Sequence, residues 1–192
     1  MWSKISPYML VITGNPGVGK HTITEKLSQK MNLPVLDLNK IAIQNKIYKK
    51  SGSTLDVDVK KLASLVKKLA IKNSIVVGHL APYVLNKAQI STVIILRKNP
   101  YKLIPIYKKR KYTQKKIIEN VGSEILGIIE YDAISSFGMK KTFQINATNL
   151  SPSQIIAKIG LIRKRKFKGD KIDWLEMVAK KGDLGKFFPN KK

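Results

Sequence analysis

The chain is predicted to be an α/β protein whose parallel sheet is covered by helices on both faces. Short all-apolar runs alternate with stretches of helical periodicity, the pattern of strands buried on both sides. A glycine-rich loop joins the first apolar run to an amphipathic stretch. With 192 residues, 43% of them hydrophobic, the chain is long enough for one full core.

Met9–Thr13 is the first strand, and Ile23, Leu27 and Met31 recur at four-residue spacing to define the first helix. Pro34–Leu38 reads as the second strand. Val59, Leu62, Ala63, Val66, Leu69 and Ala70 mark one face of a long helix, and Ile75–Gly78 and Thr92–Arg97 are the third and fourth strands. Asn99-Pro100 supplies a cap and a proline at the first helical position, whereas Pro105 predicts a kink or break. A further helix is expected from Thr113 through Ile117, Ile118, Val121, Ile125, Ile128 and Ile129. Thr142–Asn146 is the last strand. Ser151-Pro152-Ser153-Gln154 is a capping box for a helix carrying Ile155, Ile156, Ile159 and Ile162, and Asp173–Val178 is a short helix with Gly182 as its stop.

Composition narrows the chemistry. The absence of cysteine excludes disulfides and Cys-ligated zinc or iron–sulfur sites, and with two histidines, His21 and His79, a His-rich metal site is not expected. No apolar run reaches the roughly 18 residues of a membrane span, and Met1–Pro7 lacks the apolar stretch of a signal peptide; the expectation is a cytoplasmic protein. The net charge of +25 clusters at Lys108–Lys111, Lys115-Lys116 and Arg163–Lys166, a field that concentrates polyanions such as RNA and nucleotides.

The segment Gly14-Asn15-Pro16-Gly17-Val18-Gly19-Lys20-His21-Thr22 carries the chemistry. In the pattern G-x-x-x-x-G-K-[ST], glycines let successive N–H groups turn around phosphate oxygens while the lysine reaches the terminal phosphates. Gly14, Gly19 and Lys20 match. His21 stands where a hydroxyl would ligate Mg2+, and Thr22 offers that hydroxyl one place later. The strand–loop–helix context reads as a site for a nucleoside triphosphate. Two stretches, Asn39 to about Asp58 and Lys108 to Lys116, fit neither helix nor strand well and are expected to bind substrate or close over it. Arg110 is the candidate cation for a transferred phosphoryl, against the alternative of a solvated surface arginine. Asp37, Asp56 and Asp58 are candidates to touch an acceptor or its metal, and Asp58 serves equally well as a helix cap.

The ordered set Gly14–Lys20, Gly78-His79-Leu80-Ala81, Arg110-Lys111-Tyr112, Lys116–Asn120 running into Ser123-Glu124-Ile125-Leu126, and Lys171–Glu176 resembles the atypical adenylate kinases of the isoenzyme 6 type, found in archaea and eukaryotes. The resemblance spans most of Met9–Glu176. It implies a P-loop nucleoside-monophosphate-kinase fold with a five-stranded parallel sheet. All of 1–192 would form one domain, with a monophosphate-binding flap at about 37–58, a short lid at about 108–116 and a basic C-terminal extension at about 163–192. It further implies a broad-specificity kinase that moves the terminal phosphate of ATP to AMP or other monophosphates with Mg2+, and that hydrolyses ATP as well. Small-ribosomal-subunit maturation and rRNA processing, with a platform ribosomal protein and rRNA as partners, belong to the same implication.

By the same resemblance, Gly17, Val18, Gly19, Lys20, His21 and Thr22 take the ATP phosphates, and Thr22 the Mg2+. Lys20, His79 and Arg110 are the catalytic candidates, with Arg110 also contacting ATP from the lid. Asp37, Lys40, Asp56 and Asp58 fall on the acceptor side. The chain departs from the family pattern at Val77, where an acid is expected, and at Ile43, where an arginine is expected and Lys40 or Lys46 would substitute. These departures leave open an alternative, a nucleotide-gated ribosome-assembly factor with residual kinase activity.

Overall fold

The computed structural model describes residues 9–51, 54–69 and 73–188. Sequence features at Met1–Pro7, Gly52-Ser53, Ala70 and 189–192 lie outside them. The strands are β1 (Met9–Thr13), β2 (Val35–Asp37), β3 (Tyr48–Ser51), β4 (Thr54–Val57), β5 (Ile75–Val77), β6 (Ile90–Arg97) and β7 (Thr142–Asn146). Five of them form a parallel sheet in the order β2-β5-β1-β6-β7, as the apolar runs predict.

Alternation along the strands feeds two cores. Leu10, Ile12, Ile94 and Leu96 face one cluster, under helices α1 (Lys20–Met31), α5 (Pro100–Lys109), α6 (Gln114–Leu126) and α8 (Pro152–Arg163). Met9, Val11, Val93 and Ile95 face the other, under α2 (Leu38–Gln44), α3 (Val59–Leu69), α4 (Ala81–Val84) and α7 (Ile128–Phe137). The chain ends in α9 (Trp174–Lys180) and α10 (Leu184–Phe187), which bury Val178 and Phe187 in the first cluster. Among the described residues no helix is long and apolar enough to cross a membrane.

Local signals explain most element ends. Ser151 and Gln154 form the reciprocal capping box, Asn99 caps α5 through the Tyr101 amide, and Asp173 caps α9. Three expectations are corrected. The helix expected to run from Thr113 to Ile129 breaks at Gly127, whose φ of 67° ends α6 and starts α7. Of the kink or break expected at Pro105, the break does not occur: α5 continues through this exposed residue. The two stretches expected to fit neither helix nor strand are both ordered: 39–58 holds most of α2 and the antiparallel hairpin β3-β4, with Lys49 opposite Asp56, and 108–116 comprises the end of α5, a turn at 110–113 and the start of α6.

This topology positions the site. β1 lies at the centre, with β5 on one side and β6 on the other, so the loop after β1 opens where the winding reverses. Gly14 begins that loop with φ of 134°, and a Cβ built there would lie 2.3 Å from the carbonyl oxygen of Leu96. Gly14→Ala should therefore destabilise the fold by about 3 kcal/mol or more, because both backbone strain and a backbone clash oppose it. Thermal and urea unfolding of the variant measure this, and a wild-type midpoint would refute the packing described for the loop.

Candidate active site

The loop after β1 delivers Lys20 to the first turn of α1, where its side chain is 6% exposed. Its ammonium donates to the Asn15 carbonyl at 2.8 Å. Burial, then the neighbouring Arg110, pushes its pKa down to about 8, while Glu124 and Asp37 oppose the shift. Gly19 holds φ of 100°, and a Cβ built on it would meet nothing within 4 Å. Helix α1 has no side-chain cap and no acid in its first turn. Its leading amides are therefore left to an anion.

These groups line one cleft of about 410 Å3. The loop supplies Gly17, Gly19, Lys20, His21 and Thr22; the segment after β5 supplies His79; the α5–α6 junction supplies Arg110, Tyr112 and Lys116. Val18 points the other way, buried in the core. His79 lies deep enough that burial, with Lys20 beside it, pushes its pKa down to about 4, so its ring is neutral at neutral pH. Tyr107 donates to the Pro16 carbonyl at 2.7 Å and stacks on Tyr112, over which Lys116 sits at 4.6 Å. That stack fixes the basic turn against the loop.

On the flap side, Asn39 and Leu55 line the cleft. Lys40 and Asp56 are exposed and are not among the lining residues. Asp58 accepts from the Lys61 amide as the cap of α3 and pairs with the Lys61 ammonium, the alternative its position allowed. Ile43, at the expected arginine position, is exposed, as is Lys46. Asp37 differs: its Oδ1 accepts from the Asn39 and Lys40 amides, and its Oδ2 lies 3.2 Å from His21 Nε2. It stands in register with Val77 on the neighbouring strand, so an acid is present one strand away from the position the pattern expects.

Sequence reasoning missed the support beneath the loop. Glu124, 0% exposed, accepts from Asn15 Nδ2 at 2.7 Å and pairs with Arg97 at 2.8 Å. Glu124 stood in a quoted run and Arg97 closed a predicted strand, but nothing local joins positions so far apart.

The arrangement suits a polyphosphate: uncapped amides, a buried ammonium and the Arg110 guanidinium surround one concavity. Among the described residues no group of three acids, histidines or cysteines could hold a metal, so Mg2+ would need phosphate oxygens in addition to those of the protein. The side-chain oxygens in or beside the cleft include the Thr22 hydroxyl and the Asp37 carboxylate.

A central parallel sheet with this loop defines a P-loop kinase fold. Solved structures agree: a shikimate kinase from Bacteroides thetaiotaomicron aligns with a TM-score of 0.55 at 15% identity, covering 82% of this chain and 98% of that one. The YorR protein from Bacillus subtilis, solved in complex with phosphorylated GDP, aligns with a TM-score of 0.57 at 16% identity, covering 85% and 99%. The profile of the AAA domain family matches residues 10–127. A protein of Saccharolobus solfataricus named "Putative adenylate kinase" is 33% identical over 154 residues, 79% of this chain and 81% of its own length. One of the same name from Sulfurisphaera tokodaii is 33% identical over 172 residues, 88% and 87%. The chain belongs to this adenylate-kinase-like family of P-loop nucleoside monophosphate kinases, phosphotransferases that use ATP with Mg2+.

Burying Lys20 costs stability. Its folded pKa lies about 2.5 units below the ordinary 10.5, so between pH 8 and 10.5 the unfolded chain binds more protons and stability rises with pH. Below pH 8 the full cost applies, on the order of 3 kcal/mol, less about 1 for the lost Asn15 bond on substitution. Lys20→Met should thus stabilise the protein without nucleotide by about 2 kcal/mol at pH 7, a gain that fades toward pH 10.5. Urea titrations of both proteins across that range check it; a less stable variant at pH 7 would contradict the burial argument.

Proposed function

We propose that this protein is a broad-specificity adenylate kinase, transferring the terminal phosphate of ATP to AMP or another nucleoside monophosphate, with ATP hydrolysis as a side activity. The observation that carries the reading is that Lys20, the uncapped end of α1, Arg110 and the flap residues Asn39 and Leu55 all line a single cleft. The donor's phosphates and the acceptor are thereby brought to one place.

The amides of Gly17, Val18, Gly19 and Lys20, with the Lys20 ammonium, hold the β- and γ-phosphates. Arg110, at the C-cap of α5, offsets charge on the departing ADP, and closing of the turn at 110–113 excludes water. His79, neutral at working pH, acts as a hydrogen-bonding group toward water or phosphate rather than as a cation. Thr22 and Asp37 are the residues that would hold Mg2+, which would supply positive charge to offset that of the phosphates. Acceptor contacts fall to Asp37 and Asn39, with Lys40, Asp56 and Asp58 reaching the site only if the flap moves.

A second reading is a cytoplasmic, nucleotide-gated factor in small-subunit maturation that binds a platform ribosomal protein and rRNA. His21 and Val77 in place of a hydroxyl and an acid favour weak transfer chemistry, and the net charge of +25 favours a polyanionic partner.

Diphosphate formation from ATP with each monophosphate, set against hydrolysis of ATP alone, separates the two. Lys20→Met is expected to lose about 10³-fold in transfer and Arg110→Ala about 10²-fold. Hydrolysis that no monophosphate redirects into diphosphate would reject the kinase reading and leave the gated factor.

A further inference from the structure

We infer that Glu124 is the positioning residue of the phosphate-binding loop, and that through it the nucleotide cleft is coupled to the C-terminal helix α9. The inference rests on the reading of the cleft as an ATP site.

Glu124 reaches no part of the cleft lining; what it touches is the underside of the loop. Its Oε2 accepts from Asn15 Nδ2 at 2.7 Å. Its Oε1 accepts from Arg97 Nε at 2.8 Å, the Lys98 amide at 3.0 Å and Trp174 Nε1 at 3.1 Å. Four donors, three of them on Oε1, fix the orientation of this carboxylate. Asn15, itself 4% exposed, is gripped a second time by the Ser123 hydroxyl on its Oδ1, and its carbonyl takes the Lys20 ammonium. Carboxylate, amide, carbonyl and ammonium therefore stand in series. The aim of Lys20 depends on where Glu124 holds Asn15.

Trp174 makes the series longer. It opens α9, is 9% exposed, and shares Oε1 with Arg97. Its indole N–H has one acceptor among the described residues, the carboxylate that also fixes the loop. Coupling of this kind is reciprocal: loosening α9 weakens ATP binding, and ATP binding tightens the docking of α9. A partner that took hold of the C-terminal segment would thus change nucleotide affinity without reaching the cleft.

The test measures ATP affinity by calorimetry for the full chain and four variants. Asn15→Ala removes the link and leaves the Arg97–Glu124 pair in place; Glu124→Gln removes the charge; Trp174→Phe removes the indole donor together with part of the buried ring. Glu119→Gln, exposed on the same helix, is the control. Asn15→Ala and Glu124→Gln are expected to weaken ATP about tenfold or more, the size of a lost hydrogen bond to a charged group, and Trp174→Phe about threefold. The KM for the monophosphate should stay within about twofold, because only the donor side is positioned this way. A merely structural role would lower the melting temperature and leave the ATP affinity of the folded variants unchanged, and that result overturns the positioning. Unchanged affinity in Trp174→Phe alone overturns the coupling to α9. Should Glu124→Gln fail to fold with Arg97 unpaired, Asn15→Ala decides. Failure of the unmodified protein to bind ATP would instead refute the nucleotide reading on which this rests.

Discussion

The buried ion pair between Arg97 and Glu124 is the constraint on which the rest of the site depends. Two charges, 3% and 0% exposed, have been taken out of water at the end of the central sheet. Such a pair is tolerated only when every remaining proton and lone pair is matched, and losing one partner typically costs about 3–5 kcal/mol. Here the matching groups come from all sides: Glu130 at 3.0 Å and Gln144 at 2.7 Å on Arg97, the Glu124 carbonyl at 2.6 Å, and Asn15 and Trp174 on the carboxylate. Desolvation thus forces β6, β7, α6, α7, the loop and α9 into one arrangement. The P-loop is held from beneath by a demand for hydrogen bonds rather than by its own glycines alone.

A second consequence concerns charge. Lys20, Arg110 and Lys116 crowd one cleft, and the acids near Lys20 are Glu124, committed to Arg97, and Asp37, shared with His21. Elsewhere Asp170 pairs with Lys158, Glu176 with Lys180 and Asp183 with Lys186, and 12 acids in all face 37 lysines and arginines, so most of the positive charge is left without an acid. A cleft in this state carries repulsion that a polyphosphate relieves. Affinity for the ligand is therefore stored as instability of the empty site, as expected where function requires a strained arrangement.

How much of this was legible in the sequence follows from the range of each interaction. The strand Met9–Thr13, the loop, the Asn99-Pro100 helix start and the capping box at Ser151 are written in contiguous residues, and all appear where the pattern puts them. The hairpin β3-β4 was hidden because Tyr48-Lys49-Lys50-Ser51 lacks apolar alternation; its sequence signal is Gly52-Ser53 between two strand-like tetrads. The break at Gly127 was masked by isoleucines that keep helical spacing across it. The loop residues, His79 and Arg110 in the cleft carry motif signals, whereas Asn15, Arg97, Glu124 and Trp174 make one cluster whose direct hydrogen bonds join positions up to 109 apart and bear no local mark.

The two departures in the loop region also turn out to be connected. Val77 and Asp37 are cross-strand neighbours in register, so an acid lost from β5 and one present on β2 lie roughly 4.8 Å apart in backbone position. Asp37 then has three duties: it caps α2 with one oxygen, meets His21 with the other, and remains the carboxylate nearest Lys20 on the flap side. A hydroxyl at position 21 could not span to it as the imidazole does. The histidine is therefore more than a missing metal ligand. It ties the first turn of α1 to the cap of α2, so the two helices that flank the end of the cleft are joined through one carboxylate.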